Sequence, residues 1–326
     1  MTGTTTRAFP AERRSRIASI ADRVRARPAF LLDPPEEWET PLPDRVAQGL
    51  GRGMVGHHPY RPRREADVPA GALASLVEAA GVAGIDQLLV MPSSVRPVSA
   101  GRRWRWVTAP TQVLGIGTRA VALWVERPGT GSNSSGVRSF VALEDIAAIE
   151  DVRILLYSRL TIVGRLGQLR IRYSTVGRYD LIPALADLRE SVAGGPLPIV
   201  DTGALRQETG LPVKWRNVAR SSTVRLRDKD ASVLYDEPRM GRRRPRPTMV
   251  ALTPWELVVA RQPARGERTD TYGVDSLHVP RRRIEGVAPS SGSLAIRTLG
   301  VELTAEVGEG LATRAREIFG DLLPWA

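Results

Sequence analysis

Arginine is the residue through which this 326-residue sequence could do most of its chemistry. Arg242, Arg243, Arg244 and Arg246 crowd one stretch (GRRRPRP), and Arg281, Arg282 and Arg283 stand together in another (PRRR). A guanidinium offers paired donors in a fixed fork that fits phosphate or carboxylate oxygens, so such runs could hold a phosphate, a lipid headgroup, a nucleic acid or an acidic protein surface. The same runs also serve simply to keep a loop in water. A third stretch interleaves charge with aromatics: Arg103, Trp104, Arg105 and Trp106 alternate, which on a strand puts both tryptophans on one face and both arginines on the other. That pattern can stack on and neutralise single-stranded nucleic acid. The simpler reading, a half-buried strand with its tryptophans inward, is favoured.

Other chemistry is thinly represented. With no cysteine, disulfides, thiolate metal sites and cysteine nucleophiles drop out. Of the three histidines, His57 and His58 are adjacent in a Pro/Gly-rich stretch, so their side chains diverge, and no third ligand follows at metal spacing. The acids of FVALEDIAAIED fall at a strand end with no base beside them and read as surface charge. No Gly-x-Ser-x-Gly elbow or Walker loop is present, and GLGRGMVG is not framed by a strand and a helix. The sequence therefore predicts no enzyme, no metal and no cofactor.

Forty-seven Lys and Arg against 35 Asp and Glu give a net charge of +12, which favours anionic partners. GC-rich coding would also enrich arginine, alanine and glycine, so only the clusters carry information. No apolar run approaches the roughly 20 residues of a membrane helix, and the N-terminus lacks a signal-peptide core, which makes the cytoplasm the expected location.

Those side chains need elements to hold them. Residues 10–27 carry Ile17, Ile20, Ala21 and Val24 at the spacing of a short amphipathic helix. Residues 28–69 are broken by Pro and Gly and predict a linker or extended arm, anchored by Trp38 and Tyr60. A brief helix over 70–82 leads into a strand at 85–92, a Ser-Pro-rich turn, and alternating strands at 102–107 and 118–125. A hairpin across GRLGQ and a helix with Leu181, Ile182, Leu185 and Leu188 on one face follow.

A repeat then organises the chain. Placing Thr118 on Thr253 matches VLGIGTRAVALWVERP to TMVALTPWELVVARQP. Placing Ile146 on Ile284 matches VALEDIAAI to VPRRRIEGV, and SLAIRTLGVELTAEV takes the place of the first hairpin with a turn two residues shorter. The Gly-Pro-rich stretch 193–214 lies between the halves, with a short helical turn expected at ALRQE. The arginine run of the second half corresponds to Leu143, Glu144 and Asp145 in the first, an electrostatic difference that suggests divided labour.

With the charged lead strand LRDKDASVLYDE, the strand ALTPWELVVA, the Ile-rich strands EDIAAIED and RRRIEGV, the last hairpin and the closing helix, the chain resembles the bacterial pleckstrin-homology-like and GRAM-like families, in tandem. The first lead strand lacks the charges of the second. The resemblance implies a mainly β fold with capping helices (α+β), built as two bent antiparallel barrels, each closed by a C-terminal helix. The expected layout is an N-terminal helix and arm over 1–83, a module over 84–195, a linker over 196–210 and a second module over 211–326. The expected function is that of a non-catalytic adaptor or scaffold with a protein partner. A nucleic-acid-binding protein and a peripheral binder of anionic lipid stay open, as does a homo-oligomer.

Overall fold

A computed structural model describes residues 30–32, 40–42, 58–80, 84–100, 103–127, 136–153, 157–175, 178–195, 211–222, 232–236, 246–262, 273–290 and 292–325. The expected helix at 10–27, the helical turn at ALRQE, Trp38 and His57 lie outside the described residues.

The arm contributes two three-residue strands, β1 (Phe30–Leu32) and β2 (Thr40–Leu42). The first half then runs α1 (Ala72–Ala80), β3 (Gln87–Met91), β4 (Ser94–Ala100), β5 (Arg103–Ala109), β6 (Gln112–Ile116), β7 (Ala120–Glu126) and β8 (Gly136–Ala142). A 3-10 turn, Leu143–Asp145, leads to β9 (Ile146–Arg153), β10 (Tyr157–Gly164), β11 (Gln168–Ser174) and α2 (Leu181–Ala193). The second half runs α3 (Val213–Ser222), β12 (Ser232–Asp236), β13 (Thr248–Leu252), β14 (Glu256–Arg261) and β15 (Val274–Pro280). Its own 3-10 turn, Arg281–Arg283, leads to β16 (Ile284–Ser290), β17 (Ser293–Thr298), β18 (Val301–Glu306) and α4 (Glu309–Phe319).

Each half thus follows one order: a helix, four strands in a sheet, a 3-10 turn, three more strands and a helix. Among the described residues only the first half shows a hairpin, β4–β5, between its first two sheet strands, and β2 pairs with β5 to make a small separate sheet. Where the sequence predicted a Ser-Pro-rich turn there is therefore a strand. Pro97 is tolerated in it because β4 is an edge strand, where a missing donor need not break a ladder.

The four-stranded sheets are buried on both faces, which is why β6, β7, β13 and β14 read as nearly continuous apolar runs. In the first half the inner face joins β9–β11 and α2 around Leu89, Leu114, Leu123, Ile149, Ile162, Leu169 and Leu188. The outer face is covered by α1, where Ala72 and Leu76 meet Val90, Val113, Ala122 and Trp124. The second half repeats this, with α3 laying Trp215 and Val218 on Met249, Ala251, Val258 and Ala260. Helix α3 was not expected: besides Trp215 and Val218 its apolar residues are only the exposed Val213 and the small Ala219, which leaves little periodicity to read.

The main departure from two separate units is that they share a sheet. Strand β9 pairs antiparallel with β15, producing an eight-stranded order β1-β11-β10-β9-β15-β14-β13-β12. All its pairings are antiparallel except that of β1 with β11. Among the described residues no sheet closes into a barrel, so the structure shows mainly antiparallel open sheets packed around shared cores rather than closed barrels. Ala147, Ala148 and Val163 of the first half belong to the core of the second.

Two details of the sequence reading are corrected. Gly117, not Thr118, is the counterpart of Thr253: Gly117 N bonds to Ala120 O, as Thr253 N bonds to Glu256 O, across matching turns. A slip of one residue on a strand turns every side chain to the opposite face, so the matching apolar runs, buried on both faces, could not fix it. Ile182 is 37 % exposed, because Leu181, Ala184, Leu188 and Val192 form the inward stripe of α2. The shorter second hairpin is seen: Val163 and Gln168 flank four turn residues, whereas Thr298 and Val301 flank Leu299 and Gly300. Both of those have positive φ, as a two-residue hairpin turn requires.

Candidate functional site

The two 3-10 turns occupy equivalent places, each closing with an N–H of the next strand's isoleucine bonded back to its first residue, Leu143 or Arg281. In the shared sheet they come together. Arg283 reaches across and donates from Nη1 to Leu143 O at 2.7 Å and Ile146 O at 2.5 Å. Arg282 donates from Nε to Gly195 O at 3.2 Å, just beyond α2. Arg281 is buried and donates from Nη2 to Leu322 O at 3.2 Å in the C-terminal segment. Burial lowers the pKa of Arg281, and lowers that of Arg283 despite the opposing pull of Asp145 and Glu144. The charge difference between the halves, read from sequence as divided labour, is here the basis of a contact: an arginine turn seated on an acidic one. Arg281 Nη2 and Arg283 Nη1 thus serve backbone carbonyls inside the protein, whereas Arg282 is exposed.

Of the other cluster, Arg242, Arg243 and Arg244 lie outside the described residues. Arg246 precedes β13, and its carbonyl accepts the Thr248 hydroxyl at 2.9 Å. Arg103, Trp104, Arg105 and Trp106 open β5, in the small hairpin sheet, which is separate from the two sheets joined by the Arg281–Arg283 turn. Among the described residues, the β5 stretch and the Arg281–Arg283 turn therefore belong to different sheets and do not share a backbone ladder.

What the structure does gather, sequence reasoning missed. On one face of the shared sheet, Glu256, His278, Ser276 and Asp151 lie side by side across β14, β15 and β9, because alternate residues of paired strands share a face. Thr253 fixes the start of this row: its hydroxyl accepts Trp255 N and Glu256 N at 3.1 and 2.9 Å, a local turn that delivers Glu256 to the strand. Above it, α2 presents Arg189, whose Nε donates to both Glu256 oxygens at 2.9 and 3.0 Å and whose Nη2 also pairs with Oε2. Burial would raise the Glu256 pKa, but the Arg189 charge and the His278 contact outweigh it and bring it down to about 2. His278 stands with Nδ1 3.5 Å from Glu256 Oε2 and Nε2 3.3 Å from Ser276 Oγ. Burial and then the Arg189 charge lower its pKa, against the pull of Glu256 and Asp151, and favour the neutral ring. At the far end Tyr173 donates to Asp151 Oδ1 at 2.6 Å, and burial raises the phenol's pKa well above its usual value.

Ser276, His278 and Glu256 have the order of a hydroxyl–imidazole–carboxylate relay. The geometry argues for a structural role. Ser276 is fully buried and its hydroxyl donates to Asp151 O at 3.2 Å across the β9–β15 joint, so it offers no accessible nucleophile in this structure. Among the described residues no group of three His, Cys, Asp or Glu side chains could hold a metal ion, and no helix is long and apolar enough to cross a membrane. No signal in one sequence could have paired Arg189 with Glu256, since they meet only through the joint between halves.

No family model, no curated protein and no solved structure matches the chain.

Proposed function

We propose that the chain is a non-catalytic adaptor made of two PH-like modules held at a fixed mutual placement, with a protein partner. The observation that carries this reading is the joint itself: β9 and β15 continue one sheet through both halves, and Arg282 and Arg283 of the second 3-10 turn donate to backbone carbonyls of the first half. Four strands, three strands and a closing helix, found twice, support the PH-like assignment of each half. A polar row buried under α2 and used to tie the halves together suits a scaffold better than an active site. A cytoplasmic location belongs to the same proposal.

The test is affinity purification of the tagged chain from its native lysate at moderate salt, with and without nuclease. Recovery of one stoichiometric protein that survives nuclease supports the adaptor. Recovery of nucleic acid alone, lost with nuclease or added salt, contradicts it, since phosphate contacts fall steeply with salt. Binding to anionic vesicles with no protein recovered contradicts it equally.

A further inference from the structure

The repeat makes the internal joint a template for an external one. Inside the chain, the fourth sheet strand of the second half, β15, pairs with the first strand after the turn of the first half, β9. The two strands left without that partner are β8, the counterpart of β15, and β16, the counterpart of β9. Each is the outer strand of its sheet among the described residues. We propose that β8 of one copy of this chain docks on β16 of another, repeating the β9–β15 joint head to tail, and that the C-terminal segment caps β16 against it.

Register follows from the counterparts. Phe140 pairs with Ala122 as His278 pairs with Val258, so Phe140 stands where His278 stands. Ile146 and Ile284 each follow their turn, so Val287 corresponds to Ile149 and Ala288 to Glu150. Since His278 lies opposite Ile149 and Leu277 opposite Glu150, the joint between copies sets Phe140 opposite Val287 and Ser139 opposite Ala288.

Three observations support this occupant. Phe140 is 50 % exposed and Val77 on the adjoining α1 is 46 % exposed, whereas His278 in the completed joint is buried. The turn after β8, with exposed Glu144, would meet the turn before β16, with exposed Arg282, so the acidic-on-basic match of the internal joint recurs with the roles exchanged. Finally, the edge of β16 already takes a backbone partner at one position. Val287 N donates to Pro324 O at 2.8 Å, and Val287 forms a parallel bridge with Trp325. Two residues on, Pro289 occupies the same edge-facing phase and has no N–H to offer, so the external joint is weaker than β9–β15 and a short tail suffices to compete with it. A head-to-tail contact of this kind does not close on itself as a twofold one does, so copies add in series. The inference rests on the repeat and its pairings, and stands whether or not the adaptor reading does.

The absence of native cysteine gives a direct test. Ser139→Cys and Ala288→Cys are introduced together, with residues 324–326 present or deleted, and the purified chain is oxidised at increasing concentration. Directly opposed residues of antiparallel strands lie within disulfide reach. The expected result is a reducible ladder of dimers, trimers and larger species from the truncated double variant, a slower ladder from the untruncated one, and none from either single variant. Should truncation unfold the chain, by circular dichroism, the untruncated double variant decides alone. No species larger than one chain from the folded double variants overturns the proposal. A dimer from Ser139→Cys alone also overturns it, because that product comes from β8 pairing with β8.

Discussion

Arg189 and Glu256 are 67 residues apart and meet as a buried ion pair beneath α2. Removing one partner leaves an uncompensated buried charge, so Arg189→Met should cost about 3–5 kcal/mol in urea unfolding. Replacing exposed Arg297, whose Nε lies 3.6 Å from Glu285, should change stability by less than about 1 kcal/mol. The pH dependence has a definite sign. His278 resists protonation when folded, so the unfolded chain takes the proton first and stability falls as pH drops below 6.5. Glu256 stabilises the fold above 4.5, its ordinary value, and loses that contribution as pH falls toward about 2. Unfolding midpoints between pH 7.5 and 5.5 should therefore decline in the native chain, with that share of the decline absent from His278→Gln. Gly136 is constrained in another way: a Cβ there would meet the Trp124 indole at 2.0 Å. Gly136→Ala should cost roughly 1–3 kcal/mol by overpacking, measurable as a lower urea midpoint. At this scale the sequence was least legible. The arginine triplet was visible, but its role depends on Leu143, Ile146 and Leu322, which reach it only after folding.

Strands and helices were more legible, for a physical reason. The alternation of β5, the apolar run of β7 and the helical stripe of α2 are local, so these strands, the two closing hairpins and the closing helices could be read directly, and their recurrence revealed the repeat. Strand β7 is buried on both faces, not half-buried as its predicted alternation implied. Elements specified by distant contacts escaped. Strand β4 owes its place to pairing with β5, and α3 to a surface offered by Met249, Ala251, Val258 and Ala260. Strand pairing β9–β15 is the extreme case, since nothing within either strand names the other. It makes an amide-exchange prediction: amides of β9 and β15 should be among the slowest in the chain, because each strand has a neighbour on both sides. Fast exchange along β9, as in a frayed edge, would show that the joint opens in solution.

For the whole molecule, the consequence of the joint is cooperativity. Ala147, Ala148 and Val163 belong to the second core although they come from the first half, and Arg283 crosses in the opposite direction. Two modules on a free linker would be independent; these share a sheet, a core and a buried ion pair. Arg283→Ala should therefore lower the stability of both halves together. The most direct test is calorimetric unfolding of the native chain beside Arg283→Ala. The account predicts one transition in each, with calorimetric and van't Hoff enthalpies equal and the midpoint of the variant lower. Two resolved transitions in the native chain, with the substitution shifting only one, would contradict it.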